Sequence, residues 1–153
     1  GIKNVSDKAE EISKQIQITR NVLGKGAGEI HYSVDGISKN YGVITMLQHL
    51  YKESALVPAS PWIKAEPVLK PELTARQTGS IVDLDWISRN PKQVRKFVLF
   101  TKYGHRWETQ IFNATETSTQ IPVAKSGQKL TDVALKAVDR LGNESDYAAV
   151  DVR

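Results

Sequence analysis

The sequence predicts an α+β chain in two parts: a helix–strand–helix segment over residues 1–65 and a seven-strand antiparallel β-sandwich over residues 66–153. In the first part apolar residues recur with the period of a helix, whereas in the second they alternate with a period of two. Residues 59–70, which contain prolines, separate the two patterns and are typical of a linker. The change of period therefore indicates two structural parts of different class.

The first predicted element is an amphipathic helix. Asp7 and Glu10 have the spacing of a capping box, which satisfies free backbone amides at a helix start. The residues that then follow at helical spacing are Ile12, Ile16, Thr19 and Leu23. Gly24 and Gly26 end this run, because glycine is a poor helix former and a common helix stop.

A short strand and a second helix complete the first part. The strand is predicted from Glu29 to Val34, and the helix over residues 42–54. One apolar face of this helix is formed by Val43, Leu47, Leu50 and Tyr51. A single strand cannot satisfy its own edges, so we expect this segment to be the closing part of a larger βα-repeat domain or to pack on a neighbour. Without that larger domain, the two helices are expected to pack on the sandwich, to pair with a second copy as a homodimer, or to rearrange.

Seven alternating segments bounded by turn signals predict the sandwich. They are residues 72–77, 81–87, 94–102, 107–113, 118–123, 132–138 and 147–152. The expected core rows are Val82, Leu84 and Trp86; Val98 and Phe100; and Val133, Leu135 and Ala137. Trp86 is expected at the centre of this core.

Composition excludes several classes of function. The chain has 153 residues, 40% of them hydrophobic and 25% charged, which is ordinary globular composition. The absence of cysteine excludes disulfides and thiolate metal sites. The net charge of +4 is spread along the sequence without a basic run, so no nucleic-acid partner is predicted. The three histidines lack metal-ligand spacing, so neither a metal nor a cofactor is predicted. No membrane helix and no signal peptide are recognisable in the chain.

The second part resembles a fibronectin type III repeat. The resemblance lies in residues 81–86, 97–100 and 133–145, and the last stretch, with Ala-Val-Asp and Gly-Asn-Glu-Ser, is the most specific. Such repeats usually place a tyrosine six residues before the position of Ala137. Thr131 occupies that position here, so the tyrosine-corner hydrogen bond is expected to be missing.

The first part resembles the C-terminal end of a bacterial glycosyl-hydrolase-like family. The resemblance lies in residues 11–21, 28–33 and 51–62. Members of this family are (β/α)8 barrels distantly related to family 10 glycoside hydrolases, and they are secreted, periplasmic or anchored to the outer membrane as lipoproteins. The resemblance implies that residues 1–65 are a barrel remnant and that the rest of the barrel is its partner in cis. It also implies a polysaccharide substrate and catalytic carboxylates on strands outside this chain, so no catalytic residue is predicted here.

Five residues are candidates for contact with sugar. His31 and Ser33 lie on the predicted last barrel strand, where they would border the cleft of the parent enzyme or serve only in packing. Trp62 would stack on a sugar or anchor the linker. Trp107 and Tyr103 would form a glycan-contact surface on the sandwich, or a hairpin with a partly buried aromatic.

Two functions are compatible with these features. The first is a non-catalytic C-terminal part of a secreted glycoside hydrolase, with the sandwich as accessory domain, spacer or weak glycan contact. The alternative is a self-contained carbohydrate- or protein-binding module without parent enzyme activity. An exposed row of aromatic residues that includes Trp107 would favour the alternative, and burial of those residues would exclude it.

Overall fold

The computed structural model describes residues 9–24, 29–30, 34–52 and 54–152. The chain divides into two compact units, Gly1–Glu53 and Ser54–Arg153. The division falls earlier in the chain than the predicted border after residue 65. None of the helices in the described ranges has the length and apolar character needed to cross a membrane.

The first helix, α1, spans Ala9–Leu23 and agrees with the predicted one. Glu10 lies in its first turn and Arg20 in its last, and both charges suit the helix dipole. Gly24 has φ 81°, and its amide donates to the Arg20 carbonyl at 2.9 Å, so the glycine ends the helix in a left-handed conformation. Asp7, the first residue of the predicted capping box, lies outside the described residues.

Two further helices follow, α2 over Val34–Ser38 and α3 over Tyr41–Leu50. Asn40 caps α3, because its side-chain oxygen accepts a hydrogen bond from the Val43 amide at 3.1 Å. Ile16 of α1 and Val43 of α3 are buried, and the two helices pack on each other. This contact gives the first unit a small apolar centre.

The predicted strand from Glu29 to Val34 does not appear in its described residues. Glu29 and Ile30 have no regular structure, and Val34 begins α2. The Glu29 carboxylate accepts a hydrogen bond from the Tyr51 hydroxyl at 2.5 Å. Six residues of mixed polarity are too few for their period alone to distinguish strand from helix, which is why the sequence was misleading here. Residues 31–33 lie outside the described residues, and the barrel assignment stays a prediction.

The second unit contains an antiparallel β-sandwich. Its strands are β1 (Glu72–Thr78), β2 (Ile81–Ile87), β3 (Val94–Tyr103), β4 (Arg106–Asn113), β5 (Ser118–Pro122), β6 (Ala124–Lys125), β7 (Gln128–Asp139) and β8 (Ala148–Val150). One sheet has the order β1-β2-β5, and the larger sheet has the order β4-β3-β7-β6, with β8 also paired to β7. This is the strand order of a fibronectin type III-like sandwich, so the predicted class of this part is confirmed. The two-residue strand β6 was not predicted.

Trp86 lies at the centre of the sandwich core, as predicted. It is buried between the sheets, with its ring centroid 6.0 Å from that of Phe97 and 5.1 Å from that of Phe112. Two predicted inward rows are also confirmed: Val82, Leu84 and Trp86 on β2, and Val133, Leu135 and Ala137 on β7. The aromatic cluster around Trp86 therefore joins the two sheets.

The third predicted core row, Val98 and Phe100, is wrong. Phe97 and Leu99 point into the core, whereas Val98 and Phe100 lie on the opposite face of β3. All four residues are apolar, so alternation does not show which pair faces inward. Phe100 is only half-buried, and its outward position creates the surface described below.

Residues 54–71 precede β1 and pack against the sandwich. The Ser60 amide donates to the Leu141 carbonyl at 2.9 Å. Gly142 has φ 79°, and a Cβ atom there would lie only 2.4 Å from the Val57 carbonyl oxygen. Only glycine allows so close an approach, so residues 57–58, directly before the predicted linker, are held against the β7–β8 loop.

Tyr103 links the two sheets. It is buried, and its hydroxyl donates to the Pro122 carbonyl at 2.9 Å. Burial raises the pKa of Tyr103, and the nearby Glu108 charge adds to this effect. Thr131, at the tyrosine-corner position, donates its hydroxyl to the Lys102 carbonyl at 3.2 Å.

Candidate functional site

Strand register brings aromatic side chains together on the outer face of the larger sheet. Phe100 on β3 pairs with Thr109 on β4 and with Ala134 on β7. Ala134 pairs in turn with Ala149 on β8. We call the resulting surface the aromatic face; its members are Phe100, Trp107, Thr109, Ala134, Tyr147 and Ala149.

The aromatic face is a groove of about 560 Å³. Ala134 and Ala149 are small and leave room between the larger side chains. Phe100 and Tyr147 meet edge to face, with ring centroids 5.5 Å apart and an interplanar angle of 70°. The groove therefore has aromatic walls and a floor of small residues.

Two of the rings are open to solvent. Trp107 is 51% exposed and Tyr147 is 53% exposed. Burial of such apolar area contributes roughly 25 cal/mol per Å², so rings left in water are favourable contact points for a partner. Contiguous exposed apolar surface of this kind marks interaction sites more often than single exposed residues do.

Lysine ammonium groups accompany both exposed rings. Lys102 Nζ lies 5.5 Å from the Trp107 ring centroid, and Lys136 Nζ lies 4.1 Å from the Tyr147 ring centroid. Lys136 also forms an ion pair with Glu144 at 2.8 Å, and this hydrogen bond raises the pKa of Lys136. The side chains around the groove are thus restrained by contacts with one another.

Of the five predicted sugar-contact residues, the described part of the structure places one, Trp107, on the aromatic face. Tyr103 is buried with its hydroxyl bonded, so its ring has no free face for a glycan. Trp62 is 79% exposed but is not among the residues that line the groove. His31 and Ser33 lie outside the described residues.

Sequence reasoning missed Phe100 and Tyr147 as members of this surface. The signal for Phe100 was present, because residues 97–100 are apolar on both faces of β3 although only one face is needed for the core. Tyr147 lies directly before β8, and its position beside Phe100 depends on strand pairing. Single-strand periodicity contains no information on that pairing.

A larger cleft of about 830 Å³ lies along the smaller sheet. Its polar side chains include Asp83, Asp85 and Arg76, and Gln120 donates to the Asp83 carboxylate at 2.7 Å. No aromatic side chain is among the residues that line it. This cleft offers hydrogen bonds but no platform for stacking on a sugar ring.

No family model matches the sequence, and no curated protein does. The chain is similar in structure to pectate lyase PelI from Erwinia chrysanthemi in complex with tetragalacturonic acid, with 13% identity, a TM-score of 0.42 and coverage of 53% of this chain and 28% of that chain. It is similar to the FN1-FN3 domains of chicken CNTN1, with 15% identity, a TM-score of 0.46 and coverage of 56% and 32%. It is also similar to an FN3 domain of human collagen XX, with 20% identity, a TM-score of 0.43 and coverage of 64% and 100%.

The chain spans about a third or less of the lyase and of the CNTN1 fragment. All three TM-scores lie below 0.5. The description of the sandwich therefore rests on its own strand order and core.

Proposed function

We propose that this chain is a non-catalytic accessory part of a secreted protein that acts on polysaccharide, and that its sandwich contacts the glycan through the aromatic face. The exposed groove formed by Trp107, Phe100 and Tyr147 is the observation that supports this function. Sugar rings present a face of C–H groups that stacks on indole and phenol rings, while their hydroxyl groups form hydrogen bonds at the ring edge. Such a contact needs aromatic platforms with polar neighbours, and both are present.

Each side chain has a distinct role in this proposal. Trp107 and Tyr147 are the stacking platforms at the two sides of the groove, and Phe100 supports Tyr147 from the side. Thr109 and Lys102 offer a hydroxyl and an ammonium group to sugar hydroxyls. The contact area is small, so we expect weak binding of the kind that tethers a protein to a polymer.

The parent protein in this proposal is a glycoside hydrolase whose barrel precedes the sandwich. The resemblance of residues 1–65 to the end of such a barrel supports this assignment. We propose that the parent protein is secreted, periplasmic or anchored to the outer membrane as a lipoprotein. The catalytic carboxylates would belong to the rest of the barrel, which is the partner of residues 1–65 in cis. The sandwich then acts as spacer and glycan contact for an enzyme active elsewhere.

The alternative is a binding module without a parent enzyme. Exposed aromatic residues that include Trp107 are the feature that was expected of this alternative, and they are present. Exposed tryptophan and tyrosine residues beside charged groups are also common at protein interfaces. A binding module would hold its partner through the aromatic face and would occur in cells as a protein of about this length. The intact mass of the native protein, captured with an antibody against the sandwich, separates the two.

Affinity electrophoresis in gels that contain xylan, mixed-linkage β-glucan or galactomannan tests the glycan contact. We expect at least one polymer to retard the wild-type chain and W107A or Y147A to weaken the retardation about tenfold, since loss of one stacked ring corresponds to about 1.4 kcal/mol. W62A is the matched control, because it removes an exposed tryptophan outside the groove. Absence of retardation by every polymer, or an equal loss in W62A, would contradict the proposal.

A further inference from the structure

Basic side chains gather in a cleft where the linker passes the sandwich. The cleft has a volume of about 480 Å³ and lies between residues 63–66, the β2–β3 turn and the end of β7. Its four basic members are Lys64, Lys92, Arg95 and Arg140. They come from three separated parts of the sequence, so the sequence contains no basic run that predicts this site. We call this site the basic cleft.

The basic cleft has a surplus of positive charge. Its acidic members are Glu66 and Asp139, against four basic residues. The Asp139 carboxylate is turned to its own loop, where it accepts hydrogen bonds from the Leu141 amide at 2.7 Å and the Asn143 amide at 2.9 Å. The four basic and two acidic residues give the cleft a formal charge of +2, which is half of the chain's net charge of +4.

None of the four basic side chains forms an ion pair within 4.0 Å in the described part of the chain, although the Arg140 charge acts on Asp139 over a longer distance. Other basic residues nearby are paired: Arg89 contacts Glu72 at 2.8 Å, and Lys136 contacts Glu144 at 2.8 Å. Like charges that line one cleft repel one another, and a bound anion removes that repulsion. The cleft is therefore electrostatically suited to a negatively charged group.

Hydrogen bonds fix the walls of the basic cleft. Gln93 Nε2 donates to the Glu66 carbonyl at 2.7 Å, which joins the linker to the β2–β3 turn. The Arg95 carbonyl accepts from the Ala114 amide at 3.1 Å, which holds the start of β3. Because the backbone is held in this way, an anion would meet side chains that project from ordered positions.

We infer that the basic cleft binds carboxylate or sulfate groups of an acidic polysaccharide. No aromatic residue lines it, so it lacks the stacking platforms that single-stranded nucleic acids need. The Asn90 side-chain oxygen adds an acceptor for sugar hydroxyls between the charged groups, whereas the Gln93 amide is already bonded to the linker. The choice of a polysaccharide rests on the proposed function, whereas the preference for an anion rests on the charges alone.

Calorimetric titration of the full chain with alginate, dextran sulfate and neutral dextran at low ionic strength tests this site. We compare the wild type with K92Q/R95Q, which removes two charges from the cleft, and with R76Q/K129Q, which removes two charges elsewhere. Lys129 lies at the start of β7, whereas the cleft lies at its end, and Arg76 lies on the smaller sheet. The two double variants therefore have the same net charge.

We expect alginate or dextran sulfate to bind the wild type and neutral dextran to bind far more weakly. K92Q/R95Q should lose about tenfold in affinity, R76Q/K129Q less than about threefold, and added salt should weaken binding throughout. Equal losses in the two variants, or no binding of either acidic polymer, would overturn the inference. Equally tight binding of poly-L-glutamate would assign the cleft to an acidic protein instead. In W107A the acidic polymers should still bind, which separates a failure of the aromatic face from a failure of this site.

Discussion

Neighbouring residues on β3 have opposite surroundings. Leu99 is buried in the core, whereas Phe100 faces outward on the aromatic face and is half-buried. The difference follows from the pleat of the strand, which directs successive side chains to opposite sides. Substitutions at these two positions should therefore affect different properties.

L99A should lower the free energy of unfolding by about 2 to 5 kcal/mol, because it leaves a cavity in the core. F100A should cost about 1 kcal/mol, because its ring already meets water, but it should weaken glycan binding. Urea denaturation followed by tryptophan fluorescence measures both losses. An equal loss of stability in the two variants would mean that Phe100 is a core residue, as the row of Val98 and Phe100 predicted from the sequence requires.

Asp139 gives the sandwich a predictable response to acid. Burial acts to raise the pKa of Asp139, but hydrogen bonds from Asn143 and the Leu141 amide, together with the Arg140 charge, hold it below the usual range. The folded-state pKa is thus lower than the unfolded-state pKa of about 3.9. The resulting stabilisation is present above that value and is lost as the pH falls through the folded-state pKa.

D139N should destabilise the protein by about 1 to 3 kcal/mol near neutral pH. In the wild type the Asn143 side-chain amide donates to the Asp139 carboxylate, and in D139N the new side chain replaces one carboxylate acceptor with a second donor. The difference between wild type and D139N should shrink as the pH is lowered from about 7 to about 3. Urea midpoints at several pH values give this difference. A gap that stays constant across the range would show that Asp139 is not the group responsible.

At the residue scale, the sequence predicted only part of the site. Trp107 was predicted because a hairpin displays it. Phe100 and Tyr147 were missed, since their meeting depends on how strands pair across the sheet. The basic cleft was missed for the same reason, as its cations come from distant parts of the chain.

At the scale of elements, the contact between the start of the predicted linker and the sandwich depends on a single glycine, which receives the two residues before that linker. Gly142 in the β7–β8 loop has positive φ and touches the Val57 and Pro58 backbone. Gly79 in the β1–β2 turn has a similar φ of 62° but nothing within 4 Å of its missing Cβ. An alanine at either position would be strained by the positive φ, but only at position 142 would its Cβ also clash with backbone atoms.

G142A should cost more stability than G79A by about 1 kcal/mol or more, because the added methyl group displaces the linker as well as straining the turn. In G142A the Ser60 amide, which donates to Leu141, should exchange its hydrogen faster than in the wild type. Hydrogen exchange monitored by NMR measures this directly. Unchanged protection of Ser60 in G142A would mean that the linker is not held at this glycine.

Strands were predicted more accurately than the first-unit elements. The seven strand segments have clear alternation and turn residues at most boundaries, so local signals and pairing agree. The segment from Glu29 to Val34 has no such agreement, and Val34 starts a helix instead. The short strand β6 was also missed, because two residues are too few for a period.

On the scale of the whole molecule, the first unit exposes large apolar side chains. They include Ile18, Val22, Leu23 and Tyr41, which are 60%, 74%, 69% and 84% exposed. Exposed apolar surface favours association. The sequence predicted that these helices pack on the sandwich, pair with a second copy or rearrange. In a solution of the purified chain, a second copy is the available partner for this surface.

The full chain should therefore self-associate with rising concentration, whereas a fragment of residues 54–153 should stay monomeric. Sedimentation velocity over a range of concentrations distinguishes the two. A full chain that remains monomeric would contradict the expectation of a missing partner for the first unit. Association of the fragment would instead assign the contact to the sandwich.

Three tryptophan indole groups allow the most direct test of the aromatic face. Trp107 lies in the groove, Trp62 is exposed outside it, and Trp86 is buried with its indole N–H unbonded among the described residues. In an NMR spectrum of the ¹⁵N-labelled chain, each tryptophan gives one indole N–H signal. The chain is titrated with the polysaccharide that retards it in gels, and the three signals are followed. We predict that the Trp107 signal shifts with the largest amplitude while those of Trp62 and Trp86 stay in place. A shift confined to Trp62, or no shift at Trp107 on addition of any polysaccharide, would contradict a glycan contact on this face.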